Sequence, residues 1–143
     1  AASDVYKRQV QCSPVSVELT YGLERICMFV QEKSNVFDIL WNKDGTLYKD
    51  IYKENEKQFS KYNFELANID YLFNTFESLE KEAKNLLLYK LPLPAYDHSL
   101  KASHVFNILD SRGAISTAQR AGYISRIRDL VKEVGLKWLE EKK

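Results

Sequence analysis

Ile69-Asp70-Tyr71-Leu72-Phe73-Asn74-Thr75-Phe76-Glu77-Ser78-Leu79-Glu80-Lys81-Glu82-Ala83-Lys84-Asn85-Leu86-Leu87-Leu88 is the stretch that decides the architecture. Ile69, Leu72, Phe73, Phe76, Leu79, Ala83, Leu86 and Leu87 recur at spacings of three and four over about five turns, while Glu77, Glu80, Lys81, Glu82 and Lys84 fill the other side. That is a helix with one buried face. Leu91-Pro92-Leu93-Pro94 must end it, because proline has no amide to donate and biases its predecessor away from the α region. Pro94 suits the first position of a second helix, which is expected to run to about Asp110 and close near Gly113. Ser116-Thr117-Ala118-Gln119 then has the form of a capping box. The helix it opens carries Tyr123, Ile124, Ile127, Leu130, Val131, Val134, Trp138 and Leu139 on one face. Three long helices with short connectors imply a helical bundle or hairpin array, so the fold class is mainly α. The first and third are expected to pack on each other, with Phe76 and Ile127 buried.

The texture changes upstream of Glu54. Between Ser34 and Lys53 the chain is punctuated by Ser34-Asn35 and Asn42-Lys43-Asp44-Gly45, where Asp-Gly favours a tight turn with positive φ, so short elements are expected. In Tyr21 to Gln31 the apolar residues Leu23, Ile26, Cys27 and Val30 have the period of a helix with one buried face. Val15-Ser16-Val17-Glu18-Leu19-Thr20 alternates apolar and polar and reads as a strand running into that helix. The chain opens at Ala1 without a methionine, and residues 1–11 show no helix or strand period. They resemble translated adapter sequence and are expected to be non-native or unstructured, so the chain reads as a fragment.

Composition narrows the classes further. Across 143 residues, 21 Lys and Arg stand against 20 Asp and Glu, so the total charge does not point to non-specific grip on nucleic acid or anionic membrane. A hydrophobic share of 45% is too high for a disordered chain. Cys12 and Cys27 make neither a multi-bridge scaffold nor a zinc motif, which fits a reducing cytoplasm. Apolar runs such as Leu86 to Leu88 fall far short of the ~20 residues of a membrane span.

The chemistry-bearing stretch is Glu18-Leu19-Thr20-Tyr21-Gly22-Leu23-Glu24-Arg25. A strand entering a helix through one glycine leaves the first helical amides without intrahelical partners, and these can hold an anion. Gly22 permits close backbone approach or positive φ, and Arg25 offers a planar donor fork suited to phosphate or to stacking on a base. The same residues also read as a solvated helix start behind an ordinary turn. His98 and His104, six apart on a helix, lack a third ligand, so no metal site is expected. Ser99 and Ser103 beside them lack a complete nucleophile set. Tyr62, Phe64, Tyr71, Phe73 and Phe76 could stack bases or form core. From Arg112 to Lys143 eight basic residues face four acidic ones. Arg120, Arg126, Arg128 and Lys132 could meet nucleic-acid phosphates or an acidic partner, or could pair with Asp129 and Glu133 on a solvated face.

Thr20-Tyr21-Gly22-Leu23-Glu24-Arg25 followed by Ile26-Cys27-Met28-Phe29-Val30 resembles motif 3 of the class II aminoacyl-tRNA synthetases. From about Pro14 onward the chain is similar to the C-terminal part of bacterial glycyl-tRNA synthetase alpha subunits. The likeness also rests on Tyr62-Asn63-Phe64-Glu65, Glu80-Lys81-Glu82-Ala83, Leu91-Pro92-Leu93-Pro94-Ala95-Tyr96, Phe106-Asn107-Ile108-Leu109-Asp110-Ser111-Arg112, Ala114-Ile115-Ser116 and Tyr123-Ile124-Ser125-Arg126-Ile127-Arg128. It implies that residues 12–52 end an antiparallel catalytic domain with its last strand and helix, and that residues 53–143 form an α-helical C-terminal domain.

The resemblance further implies ATP-dependent activation of glycine and its transfer to tRNA(Gly), with Mg²⁺ bridging phosphate oxygens. Arg25 is assigned to the adenine face and the γ-phosphate as the catalytic residue, with Gly22 and Glu24 completing the ATP site and Glu24 supporting the arginine. Thr20 falls where a small hydroxyl residue lies near the amino acid. Glu18 stands where many class II members have glycine. A beta subunit and a second alpha subunit are the implied partners, in a cytoplasmic heterotetramer without membrane contact. Motifs 1 and 2 would lie upstream of residue 12, so the chain alone is expected to be inactive. A non-catalytic helical interaction or RNA-binding module is the alternative.

Overall fold

The computed structural model describes residue 15 and residues 17–142, and these divide into two compact units that meet in sequence at Glu65 and Leu66. The expectations for residues 1–11 lie outside the described residues. The division falls later than the expected boundary at residue 52, which lies inside a continuous helix.

The first unit contains α1 (Leu23–Val30), a short 3₁₀ turn (Val36–Asp38), α2 (Tyr48–Lys61) and one π-helical turn (Tyr62–Leu66). Val15 and Val17–Thr20, expected as a strand, are irregular here. A strand is stabilised by its neighbours, and no described residue pairs with them. Among the described residues the only β-pairing is an isolated antiparallel bridge between Leu40 and Leu47. Its turn is the expected one. Asn42 Oδ1 accepts from the amides of Asp44 and Thr46, and Gly45 takes φ +88° at the position where a Cβ would be strained. The amide of Leu47 then donates to Asp50 Oδ2 at 2.8 Å, and this starts α2 at Tyr48. The apolar stripe of α1 is present but unburied, with Val30 73% exposed.

The second unit is the bundle. It consists of α3 (Ile69–Leu88), α4 (Pro92–Ser111) and α5 (Thr117–Glu141). Each boundary has a local cause. Asn68 caps α3 by accepting from the amide of Tyr71 at 2.9 Å. At its other end the amides of Lys90 and Leu91 donate to the carbonyls of Leu87 and Leu86, a Schellman closure that puts Lys90 at φ +58°. α4 begins at Pro92, earlier than the expected Pro94. Both prolines fit its first turn, where no amide has an intrahelical acceptor. Gly113, at φ +66°, closes α4 in the same Schellman pattern, with Gly113 and Ala114 donating to Asp110 and Leu109. The capping box forms as expected: Gln119 N donates to Ser116 Oγ, and Ser116 N donates to Gln119 Oε1.

α4 is the middle of the bundle and touches both α3 and α5. Ala95, Ser99, Ala102, Phe106 and Leu109 form its buried stripe, with Val105 and Ile108 beside it. The larger core cluster joins Leu72 and Phe76 of α3 to Ala102, Val105, Phe106 and Leu109, with Tyr123, Ile124 and Ile127 of α5 packed against them. A smaller cluster joins Ala83 and Leu87 to Ala95, Leu130 and Val134. Phe76 is 1% exposed, and its ring meets Tyr123 edge-on at 4.9 Å. Ile127, expected to be buried, is half-buried at the edge of the larger cluster, and Val131, Trp138 and Leu139 are exposed, the last two lying beyond Val134, where the clusters on α5 end.

Truncating Phe76 to alanine should lower unfolding stability by about 3–5 kcal/mol through lost transfer energy and a residual cavity. The loss is a large share of the roughly 5–15 kcal/mol expected of a domain. Thermal and urea unfolding followed by circular dichroism measure it, and an unchanged midpoint would place the buried face of α3 elsewhere.

Candidate functional site

The N-terminus of α1 is the first place to look, because its sequence joins a glycine, a carboxylate and a guanidinium within one turn. Gly22 occupies the cap position with φ −69° and ψ 120°, an extended conformation open to any residue, so positive φ is not its reason. A Cβ there would meet only the Arg25 stem, at 3.8 Å. No side chain caps α1, unlike the ends closed by Asn68 and Ser116. The first-turn amides therefore lack a side-chain acceptor, at the end where the helix dipole favours negative charge. Arg25 is exposed and has no ion pair among the described residues. Upstream, the Thr20 hydroxyl donates to Glu18 Oε1, and both residues are exposed.

Glu24 lines a cleft of about 440 Å³ with Leu23, Cys27, Ile39, Trp41, Tyr48 and Tyr52. The Tyr48 phenol is pushed up from its ordinary value, first by burial and then by the facing Glu24 carboxylate. Three rings form the opposite wall: Tyr48 and Tyr52 have centroids 4.6 Å apart, and Trp41 stands 5.6 Å from Tyr52. At the far end of α1, the Gln31 side chain bonds both backbone groups of Leu40, with Nε2 donating to the carbonyl at 3.1 Å and Oε1 accepting from the amide at 2.7 Å.

A family model described as glycyl-tRNA synthetase alpha subunit matches residues 6–143. The chain belongs to that family. Its fold and site therefore sit in a subunit of an aminoacyl-tRNA synthetase, a class of ligase that serves translation. No described helix is long and apolar enough to cross a membrane.

The remaining candidates resolve by packing. Ser99 is buried, and its hydroxyl donates to the Ala95 carbonyl at 2.7 Å, so it belongs to the core of α4. His98 and His104 join no cluster of three ligating side chains among the described residues. Of the aromatic run, Phe73 and Phe76 pack into the bundle, while Tyr62, Phe64 and Tyr71 are exposed. The basic residues of α5 divide. Arg126 crosses to α3, where Nε and Nη2 donate to the two oxygens of Glu80 at 3.2 and 2.5 Å, and its guanidinium lies over the rings of Phe76 and Tyr123 at 4.7 and 5.1 Å. Arg120 pairs back to Asp110 at 3.2 Å. The expected pairs with Asp129 and Glu133 do not form, Asp129 instead accepting from Ser125. Arg128 and Lys132 remain exposed and without an ion pair among the described residues.

Sequence reasoning missed Gln31 and the long-range use of Arg126. The bidentate bond to Arg126 holds the Glu80 carboxyl below its usual range. A depressed carboxyl contributes stability above its unfolded value near 4.5, and that stability is lost as pH falls through the lower folded value. Glu80→Gln should therefore cost about 1–3 kcal/mol at pH 7, with the gap to the parent chain closing below about pH 4. Urea midpoints across pH test this, and a gap that stays constant down to pH 2.5 would remove the carboxylate from the argument.

Proposed function

We propose that this chain contributes to an ATP-dependent glycine–tRNA ligase, with α1 and its approach forming part of the site where glycine and ATP become glycyl-adenylate. The observation that carries the reading is an exposed Arg25, without an ion pair among the described residues, beside a helix N-terminus with no side-chain cap among them, in a chain of the glycyl-tRNA synthetase alpha subunit family. An extended guanidinium can cover the adenine ring with its flat face while its N–H groups bond the γ-phosphate. The first-turn amides of Leu23 and Glu24 add fixed positive potential on the same side. Gly22 leaves the backbone bare where the nucleotide would approach, and Thr20 with Glu18 faces the amino-acid end. The residues present do not fit a protein-held metal, since no three described His, Cys, Asp or Glu side chains gather. Mg²⁺ belongs in this reading to the triphosphate. In this reading a beta subunit, a second alpha subunit and tRNA(Gly) complete the assembly, and Thr20 to Arg25 take the part of motif 3.

Two expected outcomes test the reading together. The isolated 143-residue chain should give no glycine-dependent ATP–pyrophosphate exchange. In the full-length assembled synthetase, Arg25→Lys should slow exchange roughly ten- to a hundredfold, because an ammonium keeps the charge but loses the stacking face and the fork. Near-normal exchange in Arg25→Lys, with circular dichroism unchanged, would reduce residues 22–25 to an ordinary helix start.

A further inference from the structure

We infer that Gln31 is a positioning residue for Arg25, fixing the tilt of α1 through its paired hydrogen bonds to Leu40. The inference rests on the proposed role of Arg25 and asks what holds that residue in place. Packing does not suffice. α1 has eight residues, none of them buried, and its apolar side chains Leu23, Phe29 and Val30 are exposed. A helix this short has little stability of its own, so its direction is set by a few attachments.

Gln31 supplies the best-defined one. Its amide presents a donor and an acceptor to the carbonyl and amide of the same residue, reproducing with a side chain the exchange that two paired strand residues make. Leu40 is itself fixed, because it bridges Leu47, and the flanking bonds Trp41 N to Thr46 O and Tyr48 N to Ile39 O are both 2.8 Å. Ile39, next to it, is the one buried apolar side chain of this segment. Gln31 thus ties the C-terminal end of α1 to a rigid turn.

Six residues separate Arg25 from Gln31, or about 9 Å along the axis, so a tilt of about 10° about the Gln31 end displaces Arg25 by roughly 1.5 Å. Displacements of that size cost about a hundredfold when a group must meet a reacting substrate. The paired bonds to Leu40 stop the helix from swinging about that end.

The test uses the full-length synthetase and steady-state pyrophosphate exchange with ATP and glycine varied separately. Gln31→Met keeps the length of the side chain and removes both bonds. It should raise the KM for ATP roughly tenfold and leave the KM for glycine within about twofold. Gln31→Glu, which keeps the acceptor for the Leu40 amide, should raise the KM for ATP by about two- to threefold, and it carries the test if Gln31→Met does not fold. In an Arg25→Lys background, adding Gln31→Met should change the KM for ATP by less than about twofold, because the group it positions is already gone. Three results would overturn the inference: an unchanged KM for ATP in the variant that folds, a lower fraction of active sites with both KM values unchanged, or the full tenfold effect in the Arg25→Lys background. If Arg25→Lys alone leaves ATP kinetics unchanged, the proposed role of Arg25 fails instead, and this inference falls with it.

Discussion

Close approach of the helices depends on how little side chain stands where α4 meets its neighbours. Ala95, Ser99 and Ala102 lie along its buried stripe, and Ala83 of α3 is fully buried in the same cluster as Ala95. With no side chain longer than a hydroxymethyl at these positions, the larger Leu72, Phe76, Leu87 and Val134 can fill the space between the axes in ordinary rotamers. Ser99 is compatible with burial only because its hydroxyl folds back on the Ala95 carbonyl. A longer residue at any of the four would have to displace a packed neighbour, which typically costs about 1–3 kcal/mol.

The legible parts of the fold are those in which local sequence and environment agree. α3 has solvent on one side and core on the other, and every residue of its apolar period, from Ile69 to Leu87, is buried or half-buried. The capping box at Ser116 and the glycine stop at Gly113 are local hydrogen-bond devices, visible within a few residues. α4 gave less away because it is apolar on more than one side, so its period is weak and only its prolines and glycine mark its ends. Its start lay two residues before the expected Pro94, since either proline satisfies the first turn. The strand reading of Val15 to Thr20 rests on alternation, which describes how a segment sits in a sheet, and no described residue supplies the neighbouring strand.

The candidate site divides along the same line. Gly22, Glu24 and Arg25 were readable as a helix start, and the placement of α1 agrees with that. That Glu24 shares a cleft with Tyr48, twenty-four residues away in sequence, is announced by no spacing. Gln31 gave no signal at all, because a glutamine ending a helix is unremarkable until the backbone of Leu40 is beside it. In the sequence Arg126 is distinguished from Arg120 and Arg128 of the same helix by nothing but position. Its partner, Glu80, belongs to a different helix, and the rings beneath it become visible only once α3 and α5 are packed.

That last arrangement has a consequence for rates. The turn between α3 and α4 is short, so these two helices can find each other over a small loop. The Arg126–Glu80 contact spans forty-six residues and can close only after α5 has docked. Interactions that form late in folding contribute little to the folding rate and act on the barrier to unfolding. If the contact closes after the transition state, the guanidinium clamped between a carboxylate and two rings acts as a brake on the opening of the bundle, lengthening the lifetime of the folded state more than it hastens its formation.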